Sequence, residues 1–161
     1  MEQRLNAAQL APAGYHTMIG LETYLKQCGL EHGLIHLIKL RVSQINGCAY
    51  CIDMHSKDLR SAGETEQRLY ALDAWRETPF YTEREQAALA WAESVTRITD
   101  GHVPDDVFTR ARDQFNEQEL ADLTLAVVAI NGWNRLNIAF RTVPGTYEPG
   151  QLTRILSDLA A

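Results

Sequence analysis

From Leu34 onward, apolar residues recur every three to four positions, and that period limits what the chain can fold into. Leu34, Ile38, Val42 and Ile45, with Ile35 and Leu37 beside them, make one face of an amphipathic helix. Asn46-Gly47 ends the run, since both residues tolerate the left-handed backbone of a helix C-terminus. A new helix is expected to start at Cys48, run over Ala49 to Ala62, and stop at Gly63. Glu64 to Trp75 also reads as helical. Thr82 and Glu85 stand at capping-box spacing ahead of a stripe of Ala88, Trp91, Ala92, Val95 and Ile98. The segment "TDGHVPDD" is a loop, with Pro104 suited to the first turn of a short helix reaching Arg112. Asn116 and Glu119 repeat the capping pattern before a longer stripe from Leu120 through Leu123, Val127, Ile130 and Leu136 to Phe140, stopped near Pro144. No stretch alternates with period two over strand length, so the expected fold class is all-α.

The face that follows Asn46-Gly47 carries the chemistry. Cys48, Cys51 and His55 stand at i, i+3 and i+7, which places them on one side of a helix, with the thiols at its N-terminus. Unpaired amide N–H groups and the helix dipole stabilise a thiolate there. An imidazole with an ordinary pKa of about 6.5 is able to take a proton from Cys51 or return one to a leaving alkoxide. Peroxide cleavage uses both steps, followed by condensation of the sulfenic acid with the second thiol. Other readings stay open: the same pair suits a non-peroxidatic thiol–disulfide oxidoreductase or redox sensor, or a structural or metal-binding oligomer without turnover. Zinc accepts Cys48, Cys51 and His55 as ligands, although Cys28, His16, His32, His36 and His102 supply no second Cys/His pair to complete a structural site. Alternatively, the cysteines are simply buried and the histidine incidental.

Composition narrows the setting. The chain has 161 residues, enough to bury a core without staples, and no internal repeat or composition shift divides it, so one domain over residues 1–161 is expected. Three cysteines are too few for a secreted disulfide framework. "MEQRLNAAQLAPAGYHTM" lacks the apolar core of a signal peptide and "LTLAVVAI" is too short to span a bilayer, so a cytoplasmic protein with no membrane partner is expected. A formal net charge of −6 and a pI near 5.3 argue against nucleic acid as the main partner. No Gly-rich phosphate loop is present, and thiol chemistry of this kind requires no bound cofactor.

The stretch "LRVSQINGCAYCIDMH", Leu40 to His55, resembles the core motif of the AhpD-like alkylhydroperoxidases within the carboxymuconolactone decarboxylase superfamily. "KDLRSAGETEQRLYALDAWRE", "YTEREQAALAWAE" and "INGWNRLNIAFR" extend the likeness over residues 15–145, the expected core of the domain. The resemblance implies an all-α helical bundle that assembles into homotrimers or hexamers. It also implies thiol-dependent reduction of hydroperoxides, with electrons from a separate thiol or dithiol reductant protein. Cys48 and Cys51 would be the redox pair and His55 the relay. Members with decarboxylase activity lack the Cys-x-x-Cys pair, so the peroxidase branch is implied. The best-studied members of that family carry a glutamate twelve residues before the first cysteine and a histidine just before the second, where this chain has His36 and Tyr50. His36 is therefore the candidate substitute base, or else a partly exposed histidine on the polar face of its helix. An antiparallel return after Gly47 would bring it beside Cys51 and His55. Cys51, four residues before His55, is expected to attack the peroxide and Cys48 to resolve the sulfenic acid.

Asn131, Asn134 and Arg135 fit either the mouth of the thiol pocket or a packing or subunit interface. Trp75, Trp91 and Trp133 read as core or interface aromatics, Cys28 as a packed helix-end thiol, and His102 as a loop residue.

Overall fold

Local signals set where the helices begin and end, and the stripes between those points decide how they pack. The computed structural model describes residues 2–151 and Arg154. Among them there is no strand. The elements are α1 (Ala7–Leu10), α2 (Pro12–Leu25), α3 (His32–Asn46), α4 (Ala49–Ser61), α5 (Glu66–Ala71), a 3-10 segment (Leu72–Glu77), α6 (Glu83–Thr96), α7 (Asp105–Gln114) and α8 (Glu117–Phe140). Thr82 and Asn116 each accept the backbone N–H three residues on, and Glu85 and Glu119 answer with carboxylates, completing both expected capping boxes.

α3 lies at the centre and packs against α4, α6 and α8. One of its faces puts Leu34, Ile38 and Val42 into a core shared with Cys48, Cys51, Leu123 and Val127. The other puts Leu37 and Leu40 against Leu59, Leu72, Trp75 and Leu89. Gly47 then takes the left-handed conformation, with φ of 69°, and the Cys48 N–H donates to the Ser43 carbonyl at 3.0 Å. This closes α3 and turns the chain back, so that α4 runs alongside it.

Several boundaries differ from the sequence reading. α2 is a helix of 14 residues that the periodicity did not announce, opened by Pro12 in its first turn. The run from Glu64 to Trp75 is not continuous, because Ala74 leaves helical geometry (φ −109°, ψ 29°). The break lets Trp75 bury its ring and donate its indole N–H to Glu93 at 2.9 Å. Ile98 lies past the end of α6 and is 47% exposed, outside the stripe expected to contain it. Pro104 caps α7 from an extended conformation instead of entering its first turn, and α7 continues to Gln114. α8 ends when Arg141 adopts the left-handed conformation (φ 54°), before Pro144 is reached.

Two buried ionic groups tie the layers together. Glu93 on α6 accepts from Arg41 Nε at 2.7 Å and from Arg76 at 2.6 Å, as well as from Trp75. Glu22 on α2 pairs with Lys39 on α3 and accepts the Trp133 indole N–H from α8 at 3.0 Å. After α8 the chain lies across α4. Lys57 donates to the carbonyls of Gly145 and Tyr147, Gly145 N–H donates to Asp53, and the Tyr147 hydroxyl donates to Asp58. No helix among the described residues is long and apolar enough to cross a membrane.

Candidate active site

Cys48 is the N-cap of α4 and Cys51 sits in its first turn, an arrangement imposed by the Gly47 reversal. Their sulfurs are hydrogen-bonded 2.8 Å apart, short of the ~2.05 Å of a disulfide bond. Both side chains are buried. Cys48 is lowered to about 7, first by the hydrogen bond from the Cys51 thiol, then by the backbone N–H groups of Cys51 and Tyr50 and the Asn134 amide, which outweigh the opposing effect of burial. Cys51 moves strongly upward, because its proton is the one shared with a neighbouring thiolate and burial adds to that effect. The dithiol thus gives up one proton near neutrality and keeps the other. Asn137 on α8 also donates to Cys51 Sγ, at 3.4 Å.

The antiparallel return brings His36 to His55 as expected, with their Nδ1 atoms 3.2 Å apart, but not to Cys51, which lines a different cavity and is hydrogen-bonded to Cys48 and Asn137 instead. Burial, reinforced by the nearby Lys39 charge, depresses both imidazoles and keeps them neutral. One proton therefore lies between the two Nδ1 atoms. When His36 donates it, His55 carries its own proton on Nε2 and is an acid there. When His55 donates it, Nε2 is a free base. That Nε2 is buried and has no hydrogen-bond partner, so His55 is not bonded to either thiol.

Two cavities meet at His55. One, of about 420 Å³, is lined by Cys51 and by Tyr50, Met54, Trp133 and Asn137. The other, of about 310 Å³, is lined by His36, Lys39 and Asp58. Cys48 lines neither. Acidity therefore resides at Cys48 and access at Cys51. Tyr50 reaches the larger cavity as a phenol whose proton burial retains. Among the described residues, the side chains that converge within reach of one metal ion are His36, His55 and Asp58, and the thiols do not belong to that group.

Asn134 is wholly buried, donates to Ser43 Oγ at 3.1 Å and accepts from Asn46 at 2.8 Å. This is the packing role among the alternatives the sequence left open. Arg135 is exposed and donates to the Asn131 carbonyl. Cys28 is half-buried at the end of α2 and donates to the Leu25 carbonyl, and His102 is in an exposed loop. Asn137, which the sequence places beside the Asn131–Arg135 group, lines the thiol cavity and donates to Cys51, whereas the sequence reading missed Asp58 as a neighbour of the histidines. Asp58 carries a positional signal, being three residues from His55 on the same helix face.

The chain is thus a helical protein with a dithiol at a helix start, a histidine pair on the adjoining helices and a cavity that reaches Cys51. This chain belongs to the carboxymuconolactone decarboxylase family, which it matches over residues 12–94, and to its AhpD-like members. It is 47% identical over 139 residues to protein YdfG of Bacillus subtilis, covering 86% of this chain and 95% of that one. The structure superposes with a TM-score of 0.87 on ATU0492 of Agrobacterium tumefaciens, a protein of unknown function proposed to be the antioxidant defence protein AhpD. That match has 44% sequence identity and covers 91% of this chain and 100% of the other. A peroxidase-related protein with an AhpD core from Ralstonia eutropha shares the fold alone, with 19% identity and a TM-score of 0.76, over 87% of this chain and 75% of that one.

Proposed function

We propose that the protein is a thiol peroxidase that reduces organic hydroperoxides or hydrogen peroxide through a Cys48–Cys51 dithiol–disulfide cycle. The observation that carries this reading is the pair of sulfurs at 2.8 Å, with Cys51 open to a cavity and Cys48 acidified by the Cys51 thiol and the helix N–H groups. The anionic charge of the pair reaches Cys51 when the shared proton moves to Cys48. The Cys51 thiolate attacks one peroxide oxygen, the O–O bond breaks, and the leaving alkoxide or hydroxide takes a proton from His55 Nε2, while the His36 Nδ1 proton passes to His55 Nδ1 and solvent returns a proton to His36 Nε2, so both rings stay neutral. Cys48 then attacks the Cys51 sulfenic acid, which leaves a disulfide and water. A thiol or dithiol reductant protein returns the two electrons. His36 stands where the resemblance implies a carboxylate in the best-studied family members, and it sets the tautomer of His55, which makes it a positioning residue. The likeness to a proposed AhpD antioxidant protein supports the same chemistry. We further read the chain as one domain and as a cytoplasmic homo-oligomer, a trimer or hexamer. Exposed Val128 and Ile138 on α8 support association with other copies.

Peroxide loss with a small dithiol as reductant, combined with mass spectrometry of two variants, tests this reading. Cys48→Ser is expected to form a sulfenic acid at Cys51 and then stall or over-oxidise, and Cys51→Ser to react scarcely at all. Rapid sulfenylation of Cys48 in Cys51→Ser, with an inert Cys51 in the other variant, would reverse the two roles. No peroxide loss by the wild-type protein would refute the proposal.

A further inference from the structure

We propose that His36, His55 and Asp58 form a binding site for a single borderline divalent cation, Zn2+ foremost, that is distinct from the thiols. One ligand atom from each residue lies within 4.8 Å of the others. The two Nδ1 atoms, 3.2 Å apart, are close to the separation of about 3.3 Å that two nitrogens adopt when each is about 2.0–2.1 Å from one tetrahedral zinc. His55 and Asp58 stand at i and i+3 on α4, so one helix face presents both, and His36 arrives from α3 through the Gly47 reversal. Two neutral imidazoles and one carboxylate are the donor set that zinc, cobalt and nickel accept.

The surroundings hold these ligands in place. The Tyr147 hydroxyl donates to both Asp58 oxygens, at 2.9 and 2.8 Å, and the Gly150 N–H donates to Oδ1 at 3.2 Å. Such outer bonds orient a ligating carboxylate, and Oδ2, which receives only the shared hydroxyl, retains a lone pair for an ion. The nearby Lys39 ammonium is matched by Glu22, so it does not leave the cluster facing a free cation. All three ligands line the smaller cavity, which gives an ion a route in and leaves room for water on its open positions.

The ion and the shared proton exclude each other, because both require the Nδ1 lone pairs. With the ion bound, the remaining proton of His55 is fixed on Nε2 and the residue no longer serves as a base. Binding itself does not depend on the peroxidase reading, so either claim can fail alone.

Cobalt chloride added to the tag-free, reduced full-length protein is the probe. We expect one equivalent to bind with visible ligand-field bands and without a thiolate-to-cobalt charge-transfer band, and Zn2+ to displace it. A variant carrying Cys28→Ser, Cys48→Ser and Cys51→Ser should bind equally well. Asp58→Asn and His36→Gln should each weaken binding by about tenfold or more by calorimetry. If either of them fails to fold by circular dichroism, Tyr147→Phe, which keeps all three ligands, should still weaken binding measurably. A thiolate charge-transfer band, loss of binding in the cysteine-free variant, unchanged affinity in the ligand variants, or no binding to the wild-type protein would each overturn the proposal.

Discussion

The acidity of Cys48 comes mainly from one neighbour. Its largest contribution is the hydrogen bond from the Cys51 thiol, and the helix N–H groups and Asn134 add to it against burial. An ordinary thiol near 9.0 is thereby lowered to about 7. Removing the donor should undo most of this, so Cys51→Ala is expected to shift the Cys48 titration upward toward its ordinary range. Ultraviolet thiolate absorbance across a pH series checks the shift. In the wild-type protein one thiolate should appear as pH rises through about 7, while the second thiol stays protonated well above that. The same shift has a stability consequence with a definite sign. Between about 7 and 9.0 the unfolded chain holds a proton at Cys48 that the folded chain has lost, so this group makes stability rise with pH in that window and fall as pH drops through 7. If the titration in Cys51→Ala stays near 7, the helix N-terminus alone acidifies Cys48 and the paired-thiol account is wrong.

Among the elements, the α3–α4 reversal does most to build the site, and it rests on Gly47. Open space surrounds the place where a Cβ would sit, but a φ of 69° is strained for any residue that has one. Gly47→Ala should cost about 1–2 kcal/mol in urea unfolding, and Gly47→Asn clearly less, because asparagine tolerates the left-handed region. The alanine variant should also oxidise to the disulfide more slowly, since Cys48 follows directly. Equal stability of all three proteins would show that the turn is held from outside. This reversal and the starts of α6 and α8 were legible in the sequence, because Asn-Gly and the two capping boxes each act over a few residues. α2 was not legible, because Glu22 interrupts its apolar stripe and is buried only through Lys39 and Trp133. The break at Ala74 was hidden for a similar reason, since it serves a bond from Trp75 to Glu93, 18 residues on. At the site, the thiols and His55 shared one helix and could be read directly. Asn137 reaches Cys51 across 86 residues of chain, a contact that only the packing of α8 on α4 creates.

At the scale of the whole molecule, the buried Glu22–Lys39 pair joins α2, α3 and α8 and lies beside both cavities. Glu22 lines each of them and receives the Trp133 indole from α8, and Lys39 is only 3% exposed. Desolvation of two charges offsets much of their attraction, so the intact pair adds little net stability. Breaking it is a different matter, because Glu22→Gln leaves an ammonium with no counter-charge in a place built around one. That variant is expected to lose about 3–5 kcal/mol in urea unfolding, with an unchanged slope. Adding Lys39→Met removes the stranded charge and should restore most of the loss, since the glutamine oxygen still accepts from Trp133. The recovery separates an unpaired charge from a damaged core, because a packing defect would persist or worsen in the double variant. If Glu22→Gln alone loses less than about 1 kcal/mol, the value of an exposed ion pair, then Lys39 reaches water through the smaller cavity and the three helices are held by their apolar stripes.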